Sequence, residues 1–315
     1  MRRLISYAVN QPLFIVLGTL LFAMAGVIAF KNLSVEAFPD VTDTQVTVIT
    51  LFPGRAAEEV ERQVTLPIEV ALSGLPNSIR LFSHTQFGLS FTVITYDDKA
   101  EVNLARQQVN ERLRGVSLPP GVEATIAPNA TPVGEIMRYR LRGDGLRPME
   151  LRTLQDWVVE RTLRQVPGVA DVVAMGGFIK QYEVQPDMDK LRAYKLSIQS
   201  LLDALGRGNS NAGGSYVSQG AQQFAIRGIG LLRSADDIGN IVVAARGSTP
   251  IFVRDLARVQ VGAVPRLGTV GQDDDNDVVT GIVIMRKGEN PSEVLKGVKA
   301  KIEELNSRTL PPGVK

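Results

Sequence analysis

Few residues in this chain could make or break bonds, and their spacing argues against it. Across 315 residues there is one histidine, His84, and no cysteine. Cysteine nucleophiles, thiolate metal sites, disulfides and iron–sulfur clusters are therefore excluded together. Most zinc sites and acid/base pairs need two or more histidines, or histidine with cysteine, so ordinary metalloenzymes and histidine-dependent hydrolases are disfavoured too. His84 follows Ser83 in a strand-like stretch with no second ligand near it in sequence, which predicts a structural or surface histidine. Serine and aspartate are plentiful, but no triad assembles without a base in reach. The residues predict no enzyme, no catalytic residue and no cofactor.

Other patterns read as architecture. Asp273, Asp274, Asp275, Asn276 and Asp277 begin like a calcium loop, yet Val278 stands where the sixth position needs Gly and Ile284 where the twelfth needs Glu. A polar hairpin tip is expected. Gly213-Gly214 and Gly228-x-Gly230 lack the Lys-Ser/Thr of a phosphate loop and predict turn glycines. Met137, Met149, Met175, Met188 and Met285 are dispersed, as core fillers are, and lean away from copper and silver. Trp157 predicts a packing anchor, and the charges from Arg138 to Arg152 are mostly a solvated face. No set of metal ligands can be named. With 35 Lys+Arg against 33 Asp+Glu, net +2, no basic excess exists to neutralise phosphates, so nucleic acid is not an expected partner.

The elements that carry these residues fall into a membrane part and a folded part. No charge occurs from Leu4 to Phe30. The 18 residues Leu13 to Phe30 span ~27 Å as a helix, close to a ~30 Å hydrocarbon core, and predict a transmembrane helix. Arg2 and Arg3 precede it, whereas Glu36, Asp40 and Asp43 follow, so the N-terminus is expected in the cytoplasm and the bulk of the chain outside. A cleaved signal peptide is the competing reading, but the apolar run is long and no A-x-A site follows. A hydrophobic fraction of 44% suffices for about two domains at ~150 residues each.

Beyond residue 40 strand and helix patterns alternate. Strands are expected at 45–51, 79–85, 89–96 and 122–127. One helix should bury Val60, Val64, Ile68, Ala71 and Leu72, ending at Gly74 with a kink at Pro67, and another Val102, Ala105, Val109 and Leu113. This β-α-β-β-α-β order predicts a split-βαβ, ferredoxin-like module. The pattern repeats. Ile136 to Leu141 starts it again, with Leu151, Leu154, Val158 and Leu163 on a helical face, and LRQVPGVADVVA at 163–174 echoes LSGLPNSIRLFS at 72–83, 91 residues apart. LPPGVK at 310–315 echoes LPPGVE at 118–123, 192 apart, so an insertion of about 101 residues (192 minus 91) interrupts the second copy. The insertion should hold a strand at 182–185, a helix capped by Ser197 and ended by Gly206, and strands at 224–227, 241–244, 251–253 and 259–261. Its Gly/Ser/Asn/Gln-rich stretch 206–223 is either a functional arm or disordered.

Several strings carry a family resemblance: Phe38-Pro39-Asp40-Val41, Phe52-Pro53-Gly54, Leu66-Pro67-Ile68-Glu69, Gln86-Phe87-Gly88-Leu89-Ser90, Ala130-Thr131-Pro132-Val133-Gly134-Glu135-Ile136, Leu151-Arg152-x-Leu154-Gln155-Asp156-Trp157, and Val166-Pro167-Gly168-Val169 leading to Gly176-Gly177 and Lys180-Gln181-Tyr182. Over essentially its whole length the chain resembles the first part of a resistance-nodulation-division (RND) efflux pump, and the later strings are most similar to the heavy-metal-efflux branch of cobalt-zinc-cadmium and copper-silver transporters.

That resemblance implies an α+β fold with one N-terminal transmembrane helix (1–35), a first ferredoxin-like porter subdomain (36–132), a second (133–176 and 277–315), and an α+β docking subdomain (177–276) inserted in the second. It further implies a proton-driven exporter of heavy-metal cations in the inner membrane of a Gram-negative bacterium. Such a pump works as a homotrimer with a periplasmic adaptor and an outer-membrane channel, and its docking arm reaches into a neighbouring protomer. The family's proton relay and main metal-binding residues lie beyond Lys315, so no position here inherits them and these residues alone are not expected to transport. A multidrug pump segment and a membrane-anchored periplasmic scaffold or binding module are the alternatives.

Overall fold

In the computed structural model, residues 10–31, 41–220, 222–228, 230–266 and 268–315 are described. Arg2, Arg3, Glu36 and the Phe38-Pro39-Asp40 string lie outside them. The first element is α1, Pro12–Lys31, 20 residues without a polar face.

The chain divides into two compact units, one of residues 1–139, 159–173 and 281–310, the other of 140–158, 174–280 and 311–315. The first unit holds a four-stranded antiparallel sheet of β1 (Gln45–Leu51), β2 (Ser78–Gln86), β3 (Leu89–Tyr96) and β4 (Ala124–Ile126), in the order β2-β3-β1-β4. Two helices complete it: α2 over 57–72 and α3, Val102–Leu113. Alternation in β1 sends Val46 and Val48 to a core shared with Val60, Val64, Ile68 and Leu72 of α2 and with Ala105 and Val109 of α3. The expected apolar faces are thus the buried ones, except that Ala71, Val102 and Leu113 are only half-buried. Glu101 starts α3 by accepting the backbone N–H groups of Asn103 and Leu104 at 2.9 and 2.8 Å, which satisfies two orphan donors of the first turn. The closing strand is shorter than the expected 122–127 because Val122 is held in a turn to the Pro119 carbonyl.

At Pro67 α2 does not simply kink. The five residues before Leu66, Glu61–Thr65, form a π turn, and the wider turn accommodates a residue that has no N–H and whose ring would press on a preceding carbonyl.

The same order of elements recurs. β5 (Glu135–Leu141), α4 (148–163), β6 (Val169–Met175), β13 (Val279–Met285) and α9 (291–309) follow one another, apart from the insertion, and the sheet order is β5-β13-β6. Val314 adds an isolated bridge to Gly143. α4 starts 91 residues after α2 (148 minus 57), and β13 190 after β3 (279 minus 89). The face of α4 differs from expectation: its buried positions are Gln155, Val159 and Leu163, while Val158 is only half-buried. A π turn at Gln155–Val159 shifts the register away from a 3.6-residue count. Trp157 falls on the outside, 62% exposed, and is not a packing anchor.

In the second unit the insertion runs β7 (Lys180–Pro186), α5 (Met188–Tyr194), α6 (Ile198–Arg207), β8 (Ala212–Gln219), β9 (Gln222–Gly228), α7 (Ala235–Gly239), β10 (Val242–Arg246), β11 (Thr249–Phe252), α8 (Val253–Leu256) and β12 (Ala257–Ala263). β7 pairs with β12, β10 with β11 and β8 with β9, all antiparallel. Leu191, Ile251 and Leu256 form one small core, Leu201, Val253 and Ala257 another. Ser197 caps α6 as expected, its Oγ 3.1 Å from the Ser200 N–H, but the helix runs through Gly206 to Arg207. The stretch after it is a β-hairpin, and Gly213-Gly214 lie within β8, where the pairing register shifts between Gly213 and Tyr216. Glycines here permit a bulge in a strand and are not turn residues.

Candidate functional site

Four places gather the residues that sequence reasoning singled out. The first is α1. Leu13 and Phe30, the expected ends of a membrane span, are 75% and 78% exposed, and the stretch Pro12–Phe30 has a mean hydropathy of 2.6 with none of it buried. A helix apolar on all sides is stable in water only if something covers it, and its 20 residues are long enough to cross a hydrocarbon core.

The second is the core face of the first sheet. Thr65 turns inward from the π turn, its Oγ1 2.8 Å from Ser90 Oγ, to which it donates, and 2.9 Å from Thr85 Oγ1. A hydroxyl has one proton, so Thr85 is the donor in the second bond. Ser83 and Thr92 pair beside them at 2.9 Å. Thr50 stands opposite Ser90, and its buried hydroxyl has no partner among the described residues. Tyr96 is similar: its buried hydroxyl has no partner among the described residues, and burial pushes its pKa up to about 12. His84 is exposed on the other face of β2, its Nε2 2.8 Å from the Gln86 side-chain amide.

The third lies where the insertion leaves and rejoins the chain. Gly176 and Gly177 both have positive φ, and a Cβ on Gly176 would sit 2.0 Å from the Val278 carbonyl oxygen. Arg152 holds this corner: its Nη1 donates to the Gly176 carbonyl at 2.8 Å while Nε pairs with Asp156 at 2.8 Å. Arg266 spans both crossings, stacked 3.7 Å over the Phe178 ring and paired with Asp277. Arg140 reaches Asp275 at 2.6 Å. The acidic run is therefore a turn whose Asp275 and Asp277 each face an arginine, and the arginines from 138 to 152 are not all solvated. Sequence reasoning missed these arginine contacts. Their signal was the presence of Arg152, Asp156 and Gly176 in strings that carried the family resemblance.

The fourth is the β8–β9 hairpin, with Tyr216, Val217 and Phe224 exposed on it. Of the dispersed methionines only Met285 is buried, while Met175 and Met188 are exposed and are not core fillers. Among the described residues no group of three or more His, Cys, Asp or Glu is arranged to hold a metal.

None of these places is a catalytic constellation, and the relationships of the chain carry the functional argument. The model of the AcrB/AcrD/AcrF family matches residues 4–315. The chain belongs to that family. Within it, the chain is 39% identical to protein HelA of Legionella pneumophila over all of its own length and 30% of that protein's. It is 37% identical to the cobalt-zinc-cadmium resistance protein CzcA of Cupriavidus metallidurans and 35% identical to the cation efflux system protein CusA of Escherichia coli K12, over 99% of this chain and 30% of each of theirs. Two crystal forms of a heavy metal efflux pump superpose on 99% of the chain, at 39% identity, with TM-scores of 0.88 and 0.90 over 31% of the pump. The chain thus spans about a third of the length of the relatives it matches.

Proposed function

We propose that this chain is the N-terminal segment of a proton-driven RND transporter that exports heavy-metal cations. The observation that carries the reading is agreement in both sequence and structure over 99% of the chain with a heavy metal efflux pump. Relatives named for cobalt, zinc and cadmium and for cation efflux support the same cargo class.

On this reading α1 crosses the inner membrane with its N-terminus in the cytoplasm, and residues 36–132 form a first ferredoxin-like porter subdomain. Residues 133–176 and 277–315 form a second, and 177–276 a docking subdomain. The order β2-β3-β1-β4 with two helices is that of a split-βαβ module, and the recurrence of β5, α4, β6, β13 and α9 supports the second copy. Porter subdomains work by tilting, which requires stiff bodies joined at few points. The buried hydroxyl network and the arginine-held crossings give this chain such stiffness. The exposed Tyr216, Val217 and Phe224 suit a hairpin that is covered by a neighbouring protomer of a homotrimer. A periplasmic adaptor and an outer-membrane channel complete the assembly.

Deleting the full-length gene that carries this chain is expected to sensitise cells to at least one of zinc, cobalt, cadmium, nickel, copper or silver. Unchanged tolerance to all six would overturn the cargo class.

A further inference from the structure

One cation in the second copy does something its counterpart in the first cannot. Lys287 follows β13 and is half-buried. Its Nζ donates to the Thr42 carbonyl and lies 3.5 Å from that of Asp43, and its backbone N–H donates to the Asn129 carbonyl at 3.2 Å. Next to it, the Arg286 N–H donates to the Gly168 carbonyl at 2.8 Å. One turn therefore holds residues 42 and 43 ahead of β1, Asn129 between the two copies, and Gly168 at the start of β6. Among the described ion pairs none involves Lys287. An ammonium has three donors and no acceptor, and here it uses them on main-chain carbonyls, which fix the path of the backbone where a carboxylate would fix only a side chain.

The Asp97 N–H donates to the Asn77 carbonyl at 2.9 Å, as the Arg286 N–H does to that of Gly168 in the second copy, so Asp97 matches Arg286 and Asp98 (287 minus 189) is the counterpart of Lys287. Asp98 is exposed, and its acidic side chain offers oxygen acceptors where Lys287 offers ammonium donors.

We infer that Lys287 is a coupling residue, which makes the chain arriving from α1 move with the end of β13. Covalent order supplies the consequence. Any displacement of α1 transmitted along the chain reaches residues 42 and 43 before β1, so the clamp passes it to the second copy as well as to the first. The inference holds whatever the cargo.

Because the chain has no cysteine, two spin labels can be placed without background. With Val41→Cys and Lys299→Cys in the full chain, purified in detergent, a single narrow distance distribution is expected. Lys287→Met or Lys287→Gln should widen it at least about twofold and raise amide exchange at residues 42–45 and 129–131 about tenfold or more, with exchange in the β1–β3 ladder unchanged. Lys287→Arg, which keeps the donors, should restore the narrow distribution. An unchanged width in both neutral variants would overturn the inference. So would exchange that rises equally through β1 and β3, because that is ordinary loss of stability.

Discussion

Where the first copy of the repeat turns from β2 to β3 it uses Phe87 and Gly88, and where the second passes from β6 to β13 it spends residues 176–278. The helices before these points, α2 and α4, are the same length, 91 residues apart, each with a π turn that presents a buried polar residue, Thr65 or Gln155. One supersecondary plan thus tolerates either a two-residue turn or about a hundred residues between the same two strands. What changes is the local chemistry at the junction. Both glycines have positive φ, but a Cβ on Gly88 would lie 3.3 Å from the Phe52 carbonyl oxygen, whereas one on Gly176 would lie 2.0 Å from that of Val278, and arginines tie the surroundings of Gly176.

The comparison can be broken by substitution. The largest effects should fall on the equivalent core positions Leu72 and Leu163, 1% and 0% exposed. Changing either to Ala is expected to cost ~2–5 kcal/mol in urea unfolding, and a gap above ~2 kcal/mol between them would mean that the copies are not energetically equivalent. Gly176→Ala should cost ~3 kcal/mol or more and Gly88→Ala only ~1 kcal/mol, since both strain a left-handed backbone but the new Cβ would lie 2.0 Å from a carbonyl oxygen at Gly176 and 3.3 Å from one at Gly88. Equal losses would remove the distinction between the junctions. Thr65→Val should cost ~1–3 kcal/mol by stranding the hydroxyls of Thr85 and Ser90.

The smallest effect concerns Tyr96. Its hydroxyl is buried without a partner among the described residues, so Tyr96→Phe should change stability at neutral pH by less than ~0.5 kcal/mol. The folded pKa, about 12, lies above the usual tyrosine value of 10.0. The neutral form therefore favours folding fully below pH 10, and stability falls as the pH rises from there through the folded value. Alkaline titration of the wild type and the Phe variant, followed by circular dichroism, should show this loss in the wild type only.

Much of this plan was legible in the sequence because it rests on short-range patterns. Alternation in β1 and β3 and the spacing of Val60, Val64, Ile68 and Leu72 placed the strands and the helix face of the first unit to within a few residues. Misreadings arose where backbone geometry departs from an ideal period or where partners are distant in the chain. The π turn moved the buried face of α4 onto Gln155, glycines in β8 read as turns because a bulged strand and a turn demand the same residue, and the short helices α5, α7 and α8 carry too few residues for a periodic signal. Arg266, Phe178 and Asp277, like Lys287 and Thr42, meet only through the fold.

The long crossing between β6 and β13 also sets a folding order. In the first copy β2 and β3 are a local hairpin that can form in ~1–10 μs. Their counterparts must find each other across the insertion. Were the insertion a disordered loop, lengthening the connection from two to about 100 residues would add ~3 kcal/mol of closure entropy at ~0.6 kcal/mol per doubling. Folding the insertion first removes most of that penalty, because Arg266 then draws the Phe178 and Asp277 ends together before the sheet zips. In the order β5-β13-β6 both outer strands pair with β13, so β5 and β6 alike are made early and wait for a partner until the insertion has been synthesised. Two strand edges thus stay open over that interval, the kind of surface through which chains misassemble.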